Sequence, residues 1–178
     1  MSFDEEMKGV FPNDTPSVEE VVMEDLSTLK QEKNLVPPSK DVKMRIRSAI
    51  VACNKDNTFR QIRLDLQIVD GIQVGEIMKF KNTRLFPNVT YYADPNKYTK
   101  EYFQKKQHLV QLKFLCNAIG EDLSSIRIND AFLTSLSGKE ILGTIKQQKS
   151  KDWTNGAGQL VEGEMRNDVV NFKKSEMI

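Results

Sequence analysis

Residues that could carry catalysis are few in this sequence, and none stands in a recognisable catalytic arrangement. His108 is the single histidine, and it follows two lysines and a glutamine with no nucleophilic side chain beside it. The stretch Ser137–Glu140 contains a Gly-Lys pair, but it lacks the first glycine of a phosphate-binding loop and has Glu where Ser or Thr would meet magnesium. We therefore predict that the protein is not an enzyme. A metal-dependent nuclease is the least favoured alternative.

The two cysteines, Cys53 and Cys116, are far apart and match no metal-binding or redox spacing. We expect neither a metal nor a cofactor. The first residues do not form a basic segment followed by an apolar one, and no apolar run approaches the roughly 18 residues that a membrane span needs. These features predict a protein that stays in a reducing cytoplasm and does not enter a membrane.

Binding chemistry is better represented than catalysis. Single-stranded nucleic acid is held by cations along a groove and by aromatic rings on which bases stack. Both residue types occur on segments that we expect to be neighbours. The candidate DNA-binding residues are Lys43, Arg45, Arg47, Arg63, Lys79, Lys81, Arg84, Phe86, Tyr91, Tyr92, Lys149, Lys151 and Trp153. For the cations the alternative is an ordinary solvated face, and for Phe86 it is a place in the core.

The net charge of +1 hides a strong asymmetry along the chain. Residues 1–35 contain nine acidic and three basic residues, whereas the remainder contains 16 acidic and 23 basic residues. A basic body attracts polyanions, and an acidic arm could compete with them or recruit a basic partner.

The elements that must position these residues begin with three predicted strands. Residues 42–47 alternate between apolar and cationic, which predicts a strand that continues to Cys53. Turn-forming residues follow at 54–57, and residues 60–69 alternate again, so the two segments should form a hairpin. Glycines 71 and 75 bracket a second turn before a third predicted strand at 76–81.

The second half of the body is predicted to contain helices and two further strands. Prolines 87 and 95 should keep the aromatic-rich segment 84–92 out of regular structure. A helix is predicted from Thr99 to a stop at Gly120, with a further turn or two at 129–136. Strands four and five are placed at 139–147 and 160–172, separated by a long loop at 149–158.

The order strand, strand, strand, helix, strand, strand predicts a mainly β fold, a five-stranded OB-fold barrel (β-β-β-α-β-β) with an N-terminal extension. A helix-capped sandwich would give the same order. Residues 1–38 should form an acidic arm and linker, and residues 39–178 the OB-fold domain. Within the arm, residues 17–33 could be a helix packed on the body, a mobile recruiting arm or a disordered segment.

From Gly71 onward the chain resembles a bacteriophage family of unknown function that is typically encoded in replication and recombination modules. The resemblance is carried by residues 69–76, the helix stretch 111–120, residues 136–140 and the late stretch 167–172. It implies an OB-like, phage-encoded single-stranded DNA-binding protein that acts with recombinase or replication proteins in the host cytoplasm. The chain departs from the family pattern in its acidic N-terminal arm and in an insertion at 86–98.

Taken together, these features predict a protein that binds single-stranded DNA with little sequence preference during phage replication or recombination. The acidic arm is a possible contact for recombinase or replication proteins, and a homo-oligomer is possible. Two alternatives stay open. One is a protein-interaction scaffold that uses the acidic arm, and the other is an RNA-binding module.

Overall fold

The structure is a computed structural model, and it describes residues 35–97 and 106–175. The helix predicted at 17–33 and the beginning of the helix predicted from Thr99 lie outside these residues. The strands are β1 Ser39–Cys53, β2 Phe59–Ile68, β3 Ile72–Val74, β4 Ile77–Lys79, β5 Arg84–Leu85, β6 Asn88–Ala93, β7 Glu140–Lys149, β8 Trp153–Thr154, β9 Leu160–Val161 and β10 Met165–Lys174, and the helices are α1 Val110–Ile119 and α2 Asp130–Leu136.

The first hairpin forms as its alternating sequence predicts. Strands β1 and β2 pair antiparallel, with Met44 opposite Ile68 and Ile46 opposite Leu66, so the apolar residues of both strands share one buried face. Asn57 has a positive φ of 53° in the turn between them, which is a conformation that asparagine tolerates well.

A strand forms within the predicted segment 76–81, at Ile77–Lys79, but the prediction that it is the third strand of the main sheet is wrong. Residues 72–74 and 77–79 instead pair with each other in a small separate hairpin, β3–β4. The chain folds back at once because Gly71, with φ of 88°, lies against the backbone of Lys79; a Cβ added there would stand 2.7 Å from the Lys79 carbonyl oxygen.

The third strand of the main sheet is formed by β5 and β6, so the prediction that residues 84–92 are irregular is also wrong. Leu85 lies opposite Leu66, and Val89 lies opposite Ile62. The strand is interrupted at residues 86 and 87 only, and the Pro87 carbonyl oxygen still accepts a hydrogen bond from the Leu64 N–H at 3.0 Å. A proline is tolerated there because the strand lies at the edge of the paired order.

The main sheet is antiparallel and has the order β10-β7-β1-β2-β5, with β6 also paired to β2. No ladder between described residues joins β10 to β5 or β6, so the sheet is not a closed barrel. The fold is therefore mainly β, as predicted. Strand four is confirmed as β7. Strand five is shorter than predicted and begins at Met165, because residues 160–161 pair with 153–154 in a separate hairpin, β8–β9.

The two helices lie on the core side of the sheet. Helix α1 follows a 3-10 turn at Gln107–Leu109, buries Leu115 and Cys116, and ends at Gly120 in the left-handed conformation, as predicted. Burial raises the pKa of the Cys116 thiol to about 11. Helix α2 is also confirmed; it buries Phe132 and Leu136. No helix of the described residues is long and apolar enough to span a bilayer.

Candidate nucleic-acid interface

The polar sides of β1, β2, β5 and β6 form one surface, which we call the outer face. The register places Arg45 opposite Gln67, Ser48 opposite Asp65, and Ile50 opposite Arg63. On the other side of β2, Arg84 lies opposite Gln67 and Asn88 lies opposite Arg63. Directly opposed residues of an antiparallel pair point to the same side. These pairs therefore place side chains of β1, β2, β5 and β6 on one continuous outer face.

A groove of about 550 Å³ runs along this face. Its lining residues are Ser48, Ile50, Arg63, Asp65, Phe86, Asn88 and Arg166. Two of the predicted binding residues, Arg63 and Phe86, are among them. The lining combines two guanidinium groups, an aromatic ring, an amide and a hydroxyl, which are the donors and the stacking surface that a strand of nucleotides needs.

Phe86 is 54% exposed and is not part of the core, so the alternative that places this ring in the core is wrong. The guanidinium carbon of Arg84 lies 5.2 Å from the centroid of the Phe86 ring. Arg84 is itself held by Asp65, because its Nε donates to Oδ1 at 3.0 Å and its Nη2 donates to Oδ2. This hydrogen bonding raises the pKa of Arg84 further above its ordinary value. The ring is thus supported on one side by a fixed cation.

Two of the predicted cations on β1 are already paired. Glu140 of β7 lies 2.8 Å from Nη2 of Arg45 and 3.4 Å from Nζ of Lys43. Arg47 sits at an irregularity in the β1–β2 register, between Ile46 and Ser48, and makes no ion pair with another described residue. The cations of the first strand therefore differ in how readily they could turn to a phosphate.

The structure separates the two tyrosines from the groove. Tyr91 packs against the hydrophobic core. Tyr92 lies opposite Arg60, whose guanidinium carbon is 4.8 Å from the Tyr92 ring centroid. The β2–β6 register shifts between Arg60 and Gln61, and neither Arg60 nor Tyr92 is among the residues that line the groove.

Lys79 and Lys81 also lie away from the groove residues, in and just after the β3–β4 hairpin. They were expected on the third strand of the sheet, and the separate hairpin removes them from it. Neither is among the residues that line the groove.

The remaining predicted residues lie in the connection from β7 to β10. Trp153 is 57% exposed and stands opposite Val161 in the β8–β9 hairpin. Lys151 precedes this hairpin and is exposed. Lys149 donates to Glu162 at 2.6 Å. The same connection leads into Arg166, which lines the groove.

Sequence reasoning missed Arg166, Asn88, Ile50 and Ser48 as groove residues. The alternation of polar and apolar residues at 88–91 was the available signal for Asn88, and Pro87 concealed it. Arg166 carries no local signal, because only the sheet order brings β10 near the outer face.

No group of metal-binding side chains exists among the described residues. Burial lowers the pKa of His108 below its ordinary value of 6.5, which favours the neutral ring at physiological pH.

The fold and this face together define a mainly β protein with an open sheet and a cationic, aromatic groove. Comparison of the sequence with models of known protein families and with curated proteins found no match. The similarity to a phage family stays a prediction from the residues described above.

Proposed function

We propose that this protein binds single-stranded DNA with little sequence preference, and that the predicted domain of residues 39–178 is an OB-type domain whose outer face holds the strand. Phage replication or recombination is the setting that the family resemblance suggests. The observation that carries the proposal is the groove itself, where the exposed Phe86 ring shares the lining with Arg63 and Arg166 and lies against Arg84. The proposal assigns no catalytic step.

The order of the main strands supports the OB-type assignment. If β5 and β6 count as one broken third strand, the fourth strand, β7, lies beside β1 in the spatial order 4-1-2-3 of a Greek key. The fifth strand, β10, lies beyond the fourth, and the sheet stays partly open. In an OB-fold, the face of strands two and three and the loops 1–2 and 4–5 bind oligonucleotides. The groove occupies that face, and Arg166 follows loop 4–5.

The chemistry of the groove supports a single strand over a duplex. An exposed ring can stack with an unpaired base, whereas the bases of a duplex are already stacked on each other. Asp65 would repel a phosphate, but Arg84 neutralises the Asp65 carboxylate. Asp65 also lines the groove together with Phe86, where it suits the edge of a base. Arg63 and Arg166 line the same groove, and each would contact a phosphate of the bound strand.

The first experiment measures the affinity for a fluorescently labelled oligo-dT by anisotropy, over a range of salt concentrations. Each phosphate contact should lower the logarithm of the affinity by about 0.7 per logarithm of salt. Phe86→Ala should weaken binding by about 1–3 kcal/mol if a base stacks on the ring. Met78→Ala is the matched control, because Met78 is 54% exposed but lies in the β3–β4 hairpin.

An affinity that does not change with salt, or a Phe86→Ala variant that binds as well as the unchanged chain, would contradict the proposal. A parallel titration with oligo-U distinguishes DNA binding from the alternative of an RNA-binding module. Tighter binding of RNA than of DNA would assign the groove to RNA, because the 2′-hydroxyl is the group that distinguishes the two strands.

A further inference from the structure

Strand β1 has two halves with different neighbours. Residues 39–45 pair with β7 on one side, while residues 44–53 pair with β2 on the other. The pairing with the β7 side stops at Ile46, whose N–H donates to the carbonyl of Lys139 at 2.9 Å and whose carbonyl accepts from the N–H of Gly138 at 2.7 Å. Beyond Ile46, this side of β1 pairs with no other strand of the described residues and is a sheet edge.

The backbone groups at this edge can be identified from the ladder. The N–H of Leu64 donates to Pro87, away from β1, so Leu64 and its partner Ala49 form a pair that is not hydrogen-bonded to each other. The N–H and C=O of Ala49 therefore point to the edge, and those of Val51 and Cys53 follow at every second residue. No described residue forms a backbone hydrogen bond with these outward groups.

The side chains of this edge do not protect it. Sheet edges are normally blunted by lysine, proline or a covering element, because an open edge pairs with other chains. Here the six residues from Ser48 to Cys53 carry no charge and no proline. Ile50 is 56% exposed, and Val51 is 44% exposed. Beside the edge lies a shallow depression of about 450 Å³, which separates these residues from Leu133 and Thr134 of α2.

We propose that the 48–53 edge of β1 pairs antiparallel with the same edge of a second copy of this chain, to form a two-fold symmetric dimer. An antiparallel pairing of one segment with itself closes after two copies and covers this edge in both of them. The neutral sequence of the edge fits this partner, since self-pairing places no like charges opposite each other. It would also cover Ile50 and Val51.

The dimer would have a consequence for DNA, which rests on the proposed function. Ser48 and Ile50 line both the outer-face groove and the depression beside the edge. Pairing through this edge would therefore bring the grooves of the two copies side by side, so that one strand could pass from one copy to the other.

The test measures the mass of the full chain without DNA, by light scattering after size exclusion, up to about 100 µM. The unchanged chain should be a dimer. Val51→Pro removes an outward N–H that donates to no other described residue, and proline is tolerated at a sheet edge. We expect its dissociation constant to rise at least about tenfold. Val51→Ala keeps the N–H and is the matched control, which should stay dimeric at high concentration.

A second variant, Ile50→Lys, places like charges together across the two-fold axis and should also yield monomers. Circular dichroism establishes that both variants are folded. An unchanged chain that is monomeric throughout would overturn the proposal, and so would a dimer that survives both substitutions. Because DNA is absent, these outcomes are independent of whether the groove binds a strand.

Discussion

At the scale of single residues, one carboxylate controls two of the predicted binding cations. Glu140 accepts from Arg45 at 2.8 Å and lies 3.4 Å from the Lys43 ammonium. The hydrogen bond from Arg45 and the charge of Lys43 hold the pKa of Glu140 below its usual value of 4.5. Glu140 is therefore ionised at neutral pH, and under the proposed function it would compete with phosphates for both cations.

Glu140→Gln should strengthen binding to oligo-dT and steepen its salt dependence. Removing the carboxylate frees Lys43 and Arg45, and each new phosphate contact adds about 0.7 to the slope of log affinity against log salt. Anisotropy titrations measure both quantities. Glu76→Gln is the control for net charge, since Glu76 lies in the turn of the β3–β4 hairpin. Equal slopes for the two variants would show that the Glu140 cations do not contact the strand.

The same residue predicts a pH dependence of stability. A carboxyl whose pKa is lowered by folding stabilises the folded state above its unfolded pKa, and this contribution is lost as the pH falls through the lowered value. The free energy of unfolding should therefore decrease as the solution becomes more acidic than pH 4.5. In Glu140→Gln this part of the decrease should be missing. Urea unfolding followed by circular dichroism, from neutral pH to about pH 3, measures it. Parallel curves for the two proteins would contradict the assignment.

At the scale of elements, α2 depends on its N-terminal cap. Oδ1 of Asn129 accepts from the N–H of Phe132 at 2.9 Å, and the helix then buries Phe132 and Leu136. Asn129→Ala should lower the free energy of unfolding by about 0.5–2 kcal/mol, because one helical N–H loses its acceptor. Thr134→Ala is the control on the exposed side of the same helix. Urea unfolding compares the two, and an equal loss for both would argue against a specific role of the cap.

Elements with a strict alternation or an evident cap were predictable from sequence. Strands β1, β2 and β7 show period-two burial, and Asn129 and Gly120 mark helix ends. The third strand, β5 and β6, was not predictable, because Pro87 divides it. Gly71 and Gly75 instead suggested a turn followed by a strand at 76–81. That error also moved Lys79 and Lys81 onto the sheet, whereas Arg63 and Phe86 line one groove and Arg84 lies against the Phe86 ring. Arg166 depends on contacts between distant strands, which a local pattern does not contain.

At the scale of the whole molecule, the body begins before the boundary that the prolines suggested. Val36 is only 1% exposed and belongs to the hydrophobic core. Its N–H donates to Oδ1 of Asn167 at 2.8 Å, and its carbonyl accepts from the side-chain amides of Asn167 at 2.7 Å and Gln147 at 3.1 Å. Two side chains of β7 and β10 thus pair with the backbone of residue 36 much as a neighbouring strand would.

Two shortened chains test where the folded body begins. Both lack the acidic arm; one starts at Leu35 and the other at Ser39, the predicted domain boundary. The shorter chain should be less stable by about 1.5–3 kcal/mol, because it loses a fully buried valine. It also leaves the side-chain amides of Asn167 and Gln147 without the backbone groups that they bind.

Urea unfolding of the two chains measures the difference in their free energies of unfolding. The chain from Leu35 with Val36→Ala separates the contribution of the Val36 side chain from that of the backbone hydrogen bonds of residue 36. This variant should lie between the two, since it keeps the hydrogen bonds of residue 36 but removes two methyl groups from the core. If the chain from Ser39 were as stable as the chain from Leu35, residues 35–38 would be a linker, and the boundary predicted from Pro37 and Pro38 would stand.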